Sequence, residues 1–177
     1  RGPYSLRATL RHDSDATRTN VDGVLVAALA SGGAGRAWQE ADGLVQLRAP
    51  HEAGIDELRF VLALDDDHSE FLKRFARDPL IGEATRRVRG LRPLRTATVA
   101  QSLLRAVAGQ LIQAKLARQI EQTIVRALTP KLDGMRLHAP PDCATLGAVS
   151  PAELRRLGLG MRRGAALVRI CRSLDLE

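Results

Sequence analysis

Lysine, aromatic residues and cysteine are scarce in this chain of 177 residues. Only Lys73, Lys115 and Lys131 among its 27 cationic residues are lysine, and aromatic residues make up 3%. The two cysteines, Cys143 and Cys171, lack the short spacing of metal ligands and predict reduced thiols. The four histidines are scattered as well. We therefore expect neither a metal site nor a cofactor.

Long apolar runs and targeting signals are also missing. No segment approaches the roughly 18 consecutive apolar residues that cross a membrane. The start of the chain lacks the basic end and apolar run of a signal peptide. These absences predict a cytoplasmic globular protein, acting as a monomer without a membrane partner. Because the chain begins at Arg1 and not at Met, we expect it to be processed or a piece of a longer protein.

Charge is divided unevenly along the chain. Residues 1–79 hold 10 Lys or Arg against 13 Asp or Glu, whereas residues 80–177 hold 17 against 7. A basic second part favours a polyanionic partner, and arginine suits phosphate because its planar fork donates two parallel hydrogen bonds. A GC-rich genome would also raise the arginine content, so composition alone leaves both explanations open.

Hydrophobic periodicity predicts an α+β protein with a boundary near residue 66. In residues 1–66, alternation over 4–10, 37–39, 43–48 and 57–64 predicts strands, and residues 24–30 fit a buried strand or a capped helix. Residues 67–177 are predicted to be all-helical. Helices are predicted over 69–75 and 80–89, and Ser150 to Glu153 form a capping box. A long helix is predicted from Thr96 or Thr98 to about Leu128.

The long helix carries the residues of most interest. At 100° per residue, one stripe is predicted to be buried, with Gln110 inside it as a core glutamine linking helices. This stripe comprises Val99, Leu103, Ala106, Ala117, Ile120, Ile124 and Leu128. The opposite side starts apolar with Leu104, Ala108 and Leu111 and becomes basic with Lys115 and Arg118. Leu111 is either the edge of the core or an exposed wedge beside phosphate-binding cations.

Two arginine clusters flank this helix. The first comprises Arg86, Arg87, Arg89, Arg92 and Arg95; the second comprises Arg155, Arg156, Arg162 and Arg163 around Leu157-Gly158-Leu159-Gly160. Such runs are usually solvated helix faces. Their position beside the long helix also fits phosphate contacts, with glycines that let a backbone approach closely.

The order of several segments resembles bacterial DNA-3-methyladenine glycosylase II, an alkylated-base glycosylase of the helix-hairpin-helix superfamily. The segments are Asp78-Pro79-Leu80, Arg89-Gly90-Leu91-Arg92, Ala108-Gly109-Gln110-Leu111-Ile112 and residues 154–166. The resemblance covers nearly the whole chain and implies a TATA-binding-protein-like antiparallel sheet domain followed by a helical glycosylase domain. It implies that Leu111, beside Gln110, enters the gap left by a flipped nucleotide in alkylated double-stranded DNA. The expected DNA-contacting residues are Gln110, Leu111, Lys115, Arg118, Arg92, Arg95, Arg162 and Arg163.

The same resemblance implies that part of the active site is absent. The family's hairpin and catalytic aspartate follow the segments matched here, so we expect no catalytic residue in this chain. A flipped base is held between aromatic rings, yet Tyr4, Trp38, Phe60, Phe71 and Phe75 all precede the helical half. We therefore expect the chain to bind DNA weakly and to excise nothing alone.

Two other functions stay open on the sequence. The chain could be a non-catalytic DNA-binding module or regulator on a glycosylase scaffold. It could also be a helical protein-interaction domain whose arginines are incidental, in which case it would not bind duplex DNA at any salt concentration.

Overall fold

The computed structural model describes residues 2–10 and 14–173. They form four strands and nine helices, so the predicted α+β class is confirmed. In chain order the elements are α1 (Leu6–Thr9), β1 (Arg18–Val21), β2 (Val24–Ala28), β3 (Ala34–Gln39), β4 (Val45–Arg48), α2 (Glu52–Val61), α3 (Ser69–Phe75), α4 (Gly82–Arg87), α5 (Val99–Gly109), α6 (Ala114–Leu128), α7 (Cys143–Ala148), α8 (Pro151–Arg156) and α9 (Met161–Ser173).

The four strands form one antiparallel sheet in the order β1-β2-β3-β4. Asp22 and Gly23, both with positive φ, make the turn into β2, which settles residues 24–28 as a strand. Leu25 and Ala37 pair across β2 and β3 and are fully buried. They form a core with Leu58 and Leu62 of the α2 region, so α2 covers this face of the sheet.

Two strand predictions in this part are wrong. Residues 6–9 form the short helix α1, because the Ser5 hydroxyl accepts a hydrogen bond from the Ala8 amide and closes a first turn. Residues 57–61 belong to α2, which His51 caps by accepting a hydrogen bond from Gly54 through Nδ1. Strand β1 was not predicted, since its residues are mostly polar.

The helical part packs around a second core. Leu104, Ile124, Leu146, Leu154 and Leu167 are fully buried there. Both cysteines are buried in the same core. The predicted caps are present, since Thr98 accepts a hydrogen bond from the Gln101 amide and Ser150 accepts one from the Glu153 amide.

The prediction of one long helix is wrong. α5 ends at Gly109 and α6 begins at Ala114, so four residues interrupt the helix. The predicted buried stripe holds only for α6, where Ala117, Ile120 and Ile124 are buried. In α5 the buried residues include Leu104 and Ala108, which had been placed on the opposite side. Gln110 is exposed, and the buried glutamine of this region is Gln101.

Candidate nucleic-acid interface

The break between α5 and α6 presents Leu111 to solvent. Gln110 is extended, with φ −65° and ψ 123°, and Leu111 has a φ of 57°. A residue other than glycine in this left-handed region costs about 1–2 kcal/mol. Leu111 is fully exposed to solvent. The interpretation of Leu111 as an edge of the core is therefore wrong, and its role as a wedge stays a prediction.

Two contacts hold the turn in place from opposite sides. Ile112 packs against the helical core. Nη1 of Arg163, on α9, donates to the carbonyl oxygens of Gln110 at 3.1 Å and Ala108 at 3.4 Å. The turn is thus fixed by tertiary contacts that stabilise its positive-φ leucine.

Three of the predicted cations are exposed and form no ion pair with a described residue. Lys115 and Arg118 project from α6 shortly after the turn, and Arg162 lies on α9. Within the described ranges, none of the three has a carboxylate within 4.0 Å. Their charges are therefore available to an external anion.

The other three predicted arginines make contacts within the protein, and for Arg92 the expected DNA contact is wrong because the residue is buried. Arg92 is 2% exposed and donates through Nη1 to the carbonyl oxygens of Ala63 and Leu64, while its guanidinium lies 5.1 Å from the Tyr4 ring centroid. Burial of that ring raises the pKa of Tyr4 to about 12. A guanidinium so enclosed cannot reach a phosphate.

Arg95 and Arg163 are engaged in a similar way. Nη2 of Arg95 lies 2.9 Å from both carboxylate oxygens of Asp66, and its guanidinium stacks 4.7 Å from the centroid of Phe60. Arg163 is bound to the turn, as described above. Sequence proximity to the other arginines did not distinguish these roles.

A cavity of about 530 Å³ opens beside the turn. Gly109, Ile112 and Ala114 line one side of it, and Thr9, Ser14 and Asp15 of the N-terminal part line another. Among the described residues, no aromatic ring contributes to its lining.

Asp15, Arg105 and Glu121 form a buried ionic network in the cavity wall. Nε of Arg105 donates to both Glu121 oxygens at 3.1 Å, and Nη2 lies 2.8 Å from Glu121 Oε1 and 2.8 Å from Asp15 Oδ2. Burial lowers the pKa of Arg105, but hydrogen bonds and charge from Glu121 and Asp15 outweigh burial and raise it above its ordinary value. The network joins α5, α6 and the N-terminal part around the cavity.

Sequence analysis missed all three members of this network. Arg105 and Glu121 are 16 residues apart, and Asp15 is 90 residues from Arg105. No local spacing marks such a contact. One signal was available in the sequence: Glu121 directly follows Ile120 of the predicted buried stripe, and a buried carboxylate needs a cationic partner.

Within residues 2–10 and 14–173, no helix has the length and apolarity that a bilayer crossing requires. Nor does this part of the chain bring together three His, Cys, Asp or Glu residues that could hold a metal ion.

Comparison with known proteins places the fold. No family model and no curated protein sequence matches the chain. Among solved structures, the 3-methyladenine DNA glycosylase from Archaeoglobus fulgidus superposes with a TM-score of 0.85 and 18% identity, covering 100% of this chain and 66% of that one. An 8-oxoguanine glycosylase/lyase from Clostridium acetobutylicum, solved with double-stranded DNA containing cytosine opposite 8-oxoG, gives 0.74 and 15%, covering 97% and 59%.

The chain therefore spans 59–66% of the length of these two proteins. At 14–18% identity, the likeness concerns the fold. The chain has the α+β fold that these DNA glycosylases share.

Proposed function

We propose that this chain is the DNA-engaging part of a base-excision-repair glycosylase that flips alkylated bases out of duplex DNA and hydrolyses their N-glycosidic bonds. The observation that carries the proposal is Leu111, fully exposed on a positive-φ turn and followed along α6 by two uncommitted cations. The shared glycosylase fold supports it. On this proposal the protein acts as a monomer without a cofactor.

An exposed leucine on a strained turn gains nothing from its own protein. Burying a leucine side chain contributes about 1.5–3 kcal/mol. When a nucleotide leaves the base stack, the gap between the neighbouring bases is apolar and can accept such a side chain. Lys115, Arg118 and Arg162 would meanwhile hold phosphates. Leu111 would thus enter the gap while the cations fix the register of the duplex.

The cavity beside the turn is the proposed site that receives the flipped base. Its position next to Gly109 and Ile112 places it close to the gap that Leu111 would fill. No catalytic residue is assigned in this chain, so the proposal predicts no base release by residues 1–177 alone.

The test measures duplex binding by this chain with and without an abasic-site analogue. A wedge that fills a gap predicts tighter binding to the abasic duplex, and Leu111→Ala should reduce that preference about tenfold, because about 1.4 kcal/mol of apolar contact is lost. Leu44→Ala is the matched control, since Leu44 is also an exposed leucine, 61% accessible, in the β3–β4 turn. Its preference should equal that of the wild type.

Two results would count against the proposal. One is an equal preference in Leu111→Ala and Leu44→Ala, which would show that Leu111 does not enter the gap. The other is binding to duplex DNA that does not weaken with salt, since three phosphate contacts predict a log–log slope of about −2.7. Base release from alkylated DNA by this chain would separately overturn the assignment of no catalytic residue.

A further inference from the structure

Arg162 and Arg163 are neighbours in sequence, but their side chains have different surroundings. Arg162 is exposed and has no carboxylate within 4.0 Å among the described residues. The Arg163 side chain is half-buried, and its Nη1 bridges the carbonyl oxygens of Ala108 and Gln110. One cation is thus free for an external anion and the other is bound to the turn that carries Leu111.

The Leu157-Gly158-Leu159-Gly160 segment builds the support for Arg163. Leu159 is fully buried and anchors the start of α9, and Gly158 has a φ of 101°, which suits glycine. A Cβ on Gly160 would lie 3.6 Å from Nη2 and 3.7 Å from Nε of Arg163. The start of α9 at Gly160 is therefore within ordinary van der Waals reach of the Arg163 guanidinium.

We propose that Arg163 is a positioning residue that holds Leu111 in its exposed, left-handed conformation; this inference rests on the proposed function. The Gln110 carbonyl belongs to the peptide that joins Gln110 to Leu111, so the hydrogen bond to Arg163 fixes the orientation of that peptide plane. Ile112 is fixed on the other side by its packing against the core. With both flanking units held, Leu111 adopts a positive φ to connect them.

The charge of Arg163 fits this role better than a phosphate contact. Its guanidinium lies at the carboxyl end of α5, where the helix dipole and unsatisfied carbonyls favour a cation. To bind a phosphate with the same Nη1 atom, Arg163 would have to release both carbonyl oxygens and leave the turn without its hydrogen-bond donor.

The experiment compares three variants of this chain: Arg163→Gln, Arg163→Lys and Arg162→Gln. The measured quantity is the ratio of dissociation constants for an intact duplex and for the same duplex with an abasic-site analogue. Arg162→Gln should weaken binding to both duplexes by the same factor and keep the wild-type ratio. Arg163→Gln should reduce the ratio about as far as Leu111→Ala, and Arg163→Lys should retain most of it, because an ammonium group can donate to both carbonyls.

Amide hydrogen exchange without DNA gives an independent readout. Exchange over residues 110–113 should accelerate in Arg163→Gln and stay at the wild-type rate in Arg162→Gln. This measurement also shows whether the rest of each variant remains folded. If Arg163→Gln proves too unstable, the small loss expected in Arg163→Lys is measured in the same two assays against Arg162→Gln, which should show no loss in the ratio.

The outcomes separate the two proposals. An unchanged ratio and unchanged exchange in Arg163→Gln, with affinity lowered as in Arg162→Gln, would overturn the positioning role and make Arg163 a phosphate ligand. A wild-type protein without any preference for the abasic duplex would instead overturn the proposed function, and the positioning role with it.

Discussion

The buried network of Arg105, Asp15 and Glu121 allows a sharp prediction on stability. Glu121 and Asp15 have side chains that are 5% and 11% exposed, and Arg105 is the cation that both contact at 2.8 Å. Arg105→Met keeps most of the aliphatic length but removes the charge. Two carboxylates are then left close together in the wall of the cavity, with Arg18, 3.5 Å from Asp15, as the nearest remaining partner.

The expected loss is about 2–3 kcal/mol in the free energy of unfolding at pH 7. Removing one partner of a fully buried ion pair costs about 3–5 kcal/mol, because the other charge is left uncompensated. The Arg105 side chain is 36% exposed, so water can reach the two remaining carboxylates. The expected loss is therefore smaller than that for a fully buried ion pair. Urea denaturation at pH 7 measures the change directly.

Arg59→Met is the matched control. Arg59 contacts Asp65 at the same distance of 2.8 Å, but the two side chains are 43% and 47% exposed. Exposed pairs contribute about 0–1 kcal/mol, so this variant should lose less than about 1 kcal/mol. Both variants remove an arginine whose closest carboxylate oxygen lies at 2.8 Å, so they differ in burial and in the number of close carboxylates, two for Arg105 and one for Arg59.

The charge state of Arg105 does not complicate this test. The pKa of Arg105 lies above its ordinary value, so the wild-type guanidinium is charged, and its contribution to stability present, at pH 7. A loss under about 0.5 kcal/mol in Arg105→Met, or a loss no larger than that of Arg59→Met, would refute this reasoning.

Two other predictions follow from single contacts. Asp142→Ala should cost about 1 kcal/mol at pH 7 because the carboxylate caps α7 through the Thr145 amide. Hydrogen bonds from the Thr145 side chain and from the Thr145 amide hold the pKa of Asp142 below its ordinary value. The contribution of Asp142 to stability is therefore present above the unfolded-state pKa and lost as the pH falls through the folded-state value, so the effect of the substitution in urea denaturation should be smaller at pH 3 than at pH 7. Arg92→Gln should destabilise the fold yet leave the salt dependence of duplex binding unchanged, whereas a slope shallower by about 0.9 would restore Arg92 as a phosphate contact.

The sequence predicted elements well where a local signal sufficed. Ser69–Phe75 is a helix as expected. The side chains of Thr98 and Ser150 cap their helices by accepting hydrogen bonds from amides three residues later in the chain. The alternation over residues 57–61 misled: Leu58 and Val61 are buried three residues apart, as on one face of a helix, and the apolar Phe60 between them is exposed. Fold class was therefore easier to predict than the identity of short elements.

The break at Leu111 was predictable from a signal that was present but misread. On a continuous helix, the apolar pair Leu104 and Ala108 lies about 180° from the group of Ala117, Ile120 and Ile124. One helix could not bury both sides against a single core, yet both are buried. The change of phase between residues 108 and 117 required an interruption, and the interruption exposes Leu111.

The roles of the arginines could not be predicted, because each depends on partners that are distant in sequence. Arg92 contacts carbonyls about 30 residues away, and Arg163 contacts carbonyls more than 50 residues away. Of the six predicted cations, Lys115, Arg118 and Arg162 are exposed and have no carboxylate within 4.0 Å among the described residues. On the proposed function these three bind phosphates, which position the duplex but do not distinguish damaged from intact DNA. The proposal therefore assigns that discrimination to the turn at Leu111 and the support of the turn to Arg163.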